Sequence, residues 1–339
     1  MKKTIIYSLV SILGLSLLSV VNAENQSHVI QEFGKGSIDW TDKIIKVTGS
    51  GAIPSDKPVG QGRLLAERAA ISDAYRQISE IVYGVRVNSE TTVKDFVVES
   101  DIIKTKVDGF IKGAKRGDKK INSDGTIEYE LSVPLYGQNA LSDAIDLDLE
   151  IKKSQKMRMK KSHNILFKYN NKFAFNFNQT NDYFKIANSP DNKNNNCLEC
   201  HTPHPITDKM KNNDKPKENT NQINNSNENV SGVIIDARGL GLVPAMDPAI
   251  LDSEMKRVYI GNWEIDADFV VNNGVIGYFT DIDEAKKDIS RVGNNPIIIK
   301  ASSIKNLTDL ILEADSANTL VNSDNSSKFL QKYAVNVVM

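Results

Sequence analysis

The chain has two cysteines and four histidines. Both cysteines, Cys197 and Cys200, and two histidines, His201 and His204, fall inside one stretch, NNNCLECHTPHP, from Asn194 to Pro205. Two thiols three positions apart can close a disulfide or act as a redox pair. As thiolates, with His201 or His204, they supply a tetrahedral donor set for zinc. Each reading meets an objection in the surrounding sequence. A thioredoxin-like pair belongs between a strand and a helix, whereas a run of asparagines precedes this one. Zinc fingers commonly place their histidines farther from the cysteines, and exported proteins seldom keep thiolates reduced. A chance arrangement without function is the remaining option.

Other chemistry is thinly represented. DARGLGL, Asp236 to Leu242, is glycine-rich but lacks the spacing that cradles a phosphate. Asp236 and Arg238 are expected to pair around a tight turn. The basic run Lys152 to Lys161 is a solvated helix end or a surface for anionic lipid. No Ser-His-Asp set or catalytic carboxylate pair can be argued from spacing, so no enzyme activity is expected. With 42 Lys and Arg against 43 Asp and Glu, the chain has no basic excess, and no nucleic-acid partner is expected.

These residues need a compartment and a scaffold. Lys2 and Lys3 precede an apolar run from Ile5 to Val21, and Val21-Asn22-Ala23 has the form of a signal-peptidase site. Residues 1–23 therefore read as an export signal, with an uncleaved membrane anchor as the alternative. No cysteine stands near residue 23 to be acylated, so a lipoprotein is not expected. The periplasm or cell envelope is the expected location, an oxidising environment for a cysteine pair.

An α+β fold is expected, with two small α/β-type domains separated by a largely irregular Asn-rich insertion. The first block, residues 38–139, opens on a strand containing Ile45 and Val47 that breaks at Gly49, Gly51 and Pro54. A long helix to Gly84 follows, with Leu64, Ile71, Ala74, Tyr75, Ile78 and Ile81 as its apolar stripe. VRVNSETTVKDFVV alternates like a strand, and Ser100 caps a second helix. A hairpin then turns at Ser123-Asp124-Gly125, with Ile127, Tyr129, Leu131 and Val133 alternating after it. The sum is one helix on a small antiparallel sheet.

The middle, residues 140–230, starts as a helix, acidic first and basic last. An aromatic segment follows, with Phe173, Phe175 and Phe177 alternating. It gives way to Asn, Lys and Asp, too polar to bury a core of its own. The last block, 231–339, has strands at GVIID, KRVYIG, NPIIIKA and YAVNVVM. A helix capped by Asp281 or Asp283 and another capped by Ser323 or Asp324 complete it.

Two resemblances bear on function. Val47-Thr48-Gly49-Ser50-Gly51-Ala52-Ile53-Pro54, the alanines 66, 69, 70 and 74, Tyr83-Gly84-Val85, Thr91-Thr92-Val93, Gly113-Ala114 and Asp124-Gly125 make the first block similar to the LPP-type lipoprotein family and to the N-terminal domain of the flagellar assembly protein T type. That resemblance covers about a third of the chain and implies a non-enzymatic protein with envelope or flagellar assembly partners. The lipoprotein members' acylated cysteine is missing here.

CLECH, in turn, resembles the Cys-x-x-Cys-His haem-attachment motif of c-type cytochromes. It implies one haem c, held by thioethers from Cys197 and Cys200, with His201 as the proximal iron ligand. CHTPH resembles multihaem cytochromes, in which such a second histidine reaches a neighbouring haem. For the distal position the candidates are His163 or Met210. His204 is either a solvated loop residue or a ligand to the haem of a neighbouring cytochrome. Electron transfer or redox sensing with a redox partner protein follows from this resemblance. A non-catalytic structural or assembly role in the envelope is the alternative.

Overall fold

The computed structural model describes residues 28–160 and 229–339, and these form an α+β fold. The first block is a five-stranded antiparallel sheet crossed by a long helix. Its strands are β1 (Ile30–Phe33), β2 (Gly36–Asp39), β3 (Ile44–Gly51), β4 (Lys115–Ile121) and β5 (Ile127–Pro134), in the order β1-β2-β3-β5-β4. Along β3, Ile45 and Val47 are buried and Lys46 is exposed, as alternation requires on a sheet with one covered face. In β5 the buried residues are Ile127, Leu131 and Val133.

Gly49 and Gly51 do not end β3; the strand continues through both. Helix α1 (Val59–Gly84) explains why they are glycines. A Cβ at Gly49 would stand 2.2 Å from the Ala70 carbonyl oxygen, and one at Gly51 would stand 2.1 Å from the Ala66 carbonyl oxygen. The strand therefore meets the helix backbone directly, which only glycine permits. The opposing face of α1 is Gly62, Ala66, Ala70 and Ala74, followed by Ile78, Ile81 and Val82, all buried. Of the stripe expected from the sequence, Ala74, Ile78 and Ile81 are buried, whereas Leu64 is 62% exposed and Ile71 and Tyr75 are half-buried. Where the strand glycines meet the helix, the contact falls to Ala66, Ala70 and Ala74, and the large buried residues Ile78, Ile81 and Val82 follow only toward the end of α1.

The segment expected as a strand after Gly84 contains only an isolated bridge between Arg86 and Thr92 before helix α2 (Val93–Glu99) begins. The backbone N–H of Thr92 donates to the Asp95 carboxylate at 2.7 Å. Val93 and Phe96 are the buried residues, a three-residue step that belongs to a helix. Helix α3 (Asp101–Lys112) starts as expected, with Ser100 Oγ accepting from the Ile103 N–H. The β4–β5 turn places Gly125 at φ 84°. Helix α4 (Leu141–Ala144) is separated from helix α5, described over residues 147–160, by a break in which Asp146 has φ 51°. The single helix expected here is thus two.

In the last block the central sheet is parallel, in the order β10-β6-β13-β9. It consists of β6 (Gly232–Asp236), β9 (Gly277–Phe279), β10 (Pro296–Lys300) and β13 (Val335–Val338). Strand β13 is buried along its whole length, as is β6 up to its final residue, which suits a sheet covered on both faces. A second, mixed sheet joins β11 (Ser303–Lys305), β12 (Asp309–Ile311), β7 (Ile250–Leu251) and β8 (Arg257–Tyr259). Helices α6 (Ala267–Asn273), α7 (Ile282–Lys287), α8 (Ile289–Val292) and α9 (Ala314–Ser327) complete the block.

Asp281 caps α7, accepting from the N–H groups of Asp283 and Glu284. The last helix lies earlier than expected. Ser323 and Asp324 are inside α9, and the Asp324 carboxylate accepts from the Leu330 N–H, closing its C-terminal end instead of opening a helix. Asp and Ser satisfy backbone N–H groups beyond either end of a helix, so their presence alone does not tell start from finish.

Residues 28–147 and 230–339 form one compact unit, and the described residues 148–160 fall in another. Within the first unit the two blocks are joined. Val271 O accepts from the Gly137 N–H and the Ser142 hydroxyl. Met246 and Asp247 donate their N–H groups to the carbonyls of Arg86 and Val87.

Candidate functional site

The cysteine motif and its proposed ligands, Cys197, Cys200, His201, His204, His163 and Met210, lie outside the described residues, as do the aromatic segment and the export signal. The described chemistry centres elsewhere, on the turn between β2 and β3.

This turn, Trp40 to Lys43, reaches across to the last block. The Trp40 ring meets Tyr278 edge-on, with centroids 5.7 Å apart, and Thr41 Oγ1 donates to Tyr278 O at 2.9 Å. Lys43, at φ 59°, sends its ammonium to Asn273 O at 3.2 Å and over the Tyr136 ring at 5.9 Å from the centroid. Arg291, 9% exposed, donates to the same Asn273 carbonyl at 2.6 Å, and to the carbonyls of Gly274 and Tyr333. Two cations therefore cover the C-terminal carbonyls of α6, where the helix dipole is negative. Burial, aided by the Arg291 charge, pulls the Lys43 ammonium down to about 8. Desolvation pushes the half-buried Tyr136 phenol up strongly, so it stays protonated at neutral pH. Nothing in the sequence around Lys43 announces this role, because the carbonyl it binds, that of Asn273, is 230 positions away.

Beside the same turn, His28 Nδ1 lies 2.6 Å from Asp39 Oδ2 and 3.6 Å from Asp42 Oδ2. These three donor atoms lie within 4.8 Å of one another, close enough to converge on one metal ion. The geometry is also that of an ion pair: the Asp39 hydrogen bond raises the His28 pKa above its ordinary 6.5. Asp39 Oδ1 is committed to the Asp42 N–H, which orients that carboxylate. His28 stood outside the sequence reading, as the one histidine away from the aromatic and cysteine segments, next to β1.

At the end of β6, Asp236 and Arg238 form the expected local pair, with Nε–Oδ1 and Nη2–Oδ2 both at 2.8 Å. Arg238 holds the Asp236 carboxyl below its ordinary range. Gly239 and Gly241, at φ 78° and 71°, make the turn beyond it. The carboxylate is fully engaged by its own loop.

Several cavities open among the described residues of the first unit. One, of about 310 Å³, lies against Thr41, Lys43, Tyr278 and Asp288. A second, of about 520 Å³, is lined by Lys35, Asp73, Arg76 and Glu80, with Arg76 paired to both acids. A third, of about 410 Å³, lies between α3, β5 and the turn leading to α4, with an apolar floor including Phe110, Val133 and Ala144. Among the described residues no helix is long and apolar enough to cross a membrane.

Residues 232–339 match a family described as the second domain of Treponema pallidum Tp0624. The match covers the last block, including the parallel sheet and the Asp236–Arg238 turn. Comparison with curated proteins returns no match.

Proposed function

We propose that this is an exported envelope protein that carries one covalently attached haem c and serves electron transfer or redox sensing. The observation that carries the reading is the placement of the chain's only two cysteines in Cys197-Leu198-Glu199-Cys200-His201. The donor set fits the group: two thiols for the thioethers and an imidazole directly after them for the iron. His163 or Met210 would complete the axial pair. When bound, the haem would supply one-electron chemistry at an iron held by this chain's own imidazole. The export signal expected in residues 1–23 supports the reading, since it directs the thiols to the compartment where such attachment takes place.

The test is spectroscopic. Protein exported from cells that carry the cytochrome c maturation machinery should show a Soret band. A pyridine haemochrome of the c type should remain with the polypeptide after denaturation. Cys197→Ser with Cys200→Ser should remove both. A colourless wild-type protein from such cells would overturn the reading.

A second reading is favoured by the likeness of the first block to envelope and flagellar assembly proteins. Here the described body is a non-catalytic structural or assembly module. The interlocking of two sheets through the β2–β3 turn suits that role, because it makes one stiff unit of two small blocks. In that case the double serine variant should assemble with its envelope partners as the wild type does.

A further inference from the structure

The buried stripe of α1 is interrupted by a polar side chain. Ala70, Ala74, Ile78 and Ile81 are apolar, but Gln77, in the same stripe, is only 8% exposed. Half of its amide serves the fold. Strand β2 pairs with β3 only as far as Val47, and beyond that point α1 supplies partners to the β3 edge. Gln77 Nε2 donates to the Thr48 carbonyl at 3.3 Å and to the Asp73 carboxylate at 2.7 Å, while Asp73 accepts from the Ser50 N–H at 3.0 Å. Turning the amide over would set its oxygen against two acceptors, so the nitrogen's place is fixed. The oxygen has no such duty. Oε1 is buried and has no hydrogen-bond partner among the described residues. A buried acceptor left in this state has given up its bonds to water without replacement, which native proteins seldom allow.

Gln77 lines the cavity of about 520 Å³ beside α1. This volume falls in the range of about 300–1,000 Å³ usual for small-molecule sites. Its apolar walls lie on the helix side of the sheet. Phe33 pairs with Gly36 across β1 and β2, and paired residues share a face. A Cβ at Gly36 would stand 2.6 Å from Ile81 Cδ1, so that face is the one α1 covers. On α1, Asp73, Arg76, Gln77, Glu80 and Ile81 follow at three- and four-residue steps. They form one strip, from Arg76 in solvent to Ile81 in the core. The two polar atoms of the Gln77 amide diverge from one carbon. With Nε2 turned back to Asp73, Oε1 is turned to the Ile81 end of the cavity.

The charges lining the space are two cations, Lys35 and Arg76, and two carboxylates, Asp73 and Glu80, so they cancel. Arg76 spends one terminal nitrogen on each acid. The second Glu80 oxygen accepts no hydrogen bond among the described residues, and that side chain is 64% exposed. What remains unspent is therefore a pair of acceptors, one deep and one at the mouth, beside the Phe33 ring and Ile81. The complement is an uncharged body with hydroxyl or amide donors along its edge and C–H groups on its face.

We propose that this cavity binds a neutral sugar ring. One donor of the ring reaches Gln77 Oε1, a second reaches Glu80, and the C–H face lies against Phe33.

The experiment is saturation-transfer difference NMR on the full exported chain. The probes are methyl glucoside, N-acetylglucosamine, protonated glucosamine and glucuronate. One or both neutral sugars should bind at a single site, and the tighter identifies the donor that reaches Gln77 as hydroxyl or amide N–H. Glucuronate and protonated glucosamine should bind at least tenfold more weakly. Gln77→Met keeps the length of the side chain, removes the acceptor and should weaken binding at least tenfold. Glu80→Ala, at an exposed position, should weaken binding at least threefold with an unchanged thermal midpoint, and it decides the question should Gln77→Met fail to fold. Equal binding of all four sugars, no transfer to any of them, or wild-type affinity in either folded variant would overturn the proposal.

Discussion

Lys43 and His28 sit a few residues from each other in space and respond to pH in opposite senses. The Lys43 ammonium is held near 8 in the folded protein against about 10.4 in an unfolded chain. Between those values the unfolded state binds more protons, so the Lys43 contribution makes stability rise with pH from about 8 to about 10.4. Lys43→Met should flatten that rise in urea melts run across this window. The His28 pKa is raised, so its contribution is complete below about 6.5 and is lost as pH climbs through the folded value. His28→Ala should cost less than about 1 kcal/mol at pH 5.5, as partly exposed pairs do, and nothing measurable at pH 8.5. A variant equally destabilised at both pH values would show that packing, rather than the Asp39 pair, explains the loss. The haem proposal carries an expectation of its own at Met210 and His163. If Met210 is the distal ligand, Met210→Ala should shift the visible spectrum and the reduction potential while His163→Ala leaves both unchanged. The reverse result would assign the position to His163.

The closest approach among the elements is that of β3 to α1. A methyl group at Gly49 would overlap backbone atoms of Ala70 and Ala74, which cannot swing aside as a side chain does. Gly49→Ala should therefore cost about 3 kcal/mol or more, at the upper end of overpacking effects. A loss under about 1 kcal/mol in chemical denaturation would mean that strand and helix separate easily. The caps are smaller effects. Asp281 holds two N–H groups at the start of α7, and Asp281→Ala should cost about 1 kcal/mol. The sequence shows the small residues at the β3–α1 contact but reads them by habit: glycines as a break, large apolar residues as the buried stripe. Once two backbones touch, the rule inverts, since the space belongs to residues without bulk. The same limit explains α2, where a capping pair and a three-residue step outweigh a run that alternates like a strand.

At the scale of the whole molecule, an antiparallel sheet that ends with β5 at Pro134 and a parallel sheet that begins with β6 at Gly232 share one compact unit. Their junction is polar as well as apolar: Thr41, Lys43 and Ser142 each give a side-chain bond across it. The two tryptophans, Trp40 and Trp263, report on one block each. With Trp40→Phe and Trp263→Phe variants, fluorescence-detected unfolding should give coincident midpoints for the two blocks. Midpoints separated by more than the shift each substitution itself causes would mean that the blocks unfold independently.

Local chemistry was legible from the sequence alone. The α+β class, the alternating β3 and β5, the Ser100 and Asp281 caps, the Ser123–Gly125 turn and the Asp236–Arg238 pair all depend on residues a few positions apart. The cysteine–histidine motif that carries the functional proposal is local in the same way. Only the tertiary structure decided that the last block's central sheet is parallel, that Gly49 and Gly51 face helix backbone, and that Lys43 and Arg291 share the Asn273 carbonyl. These features arise where segments distant in the chain are pressed together, and no pattern of neighbouring residues encodes the distance between two backbones.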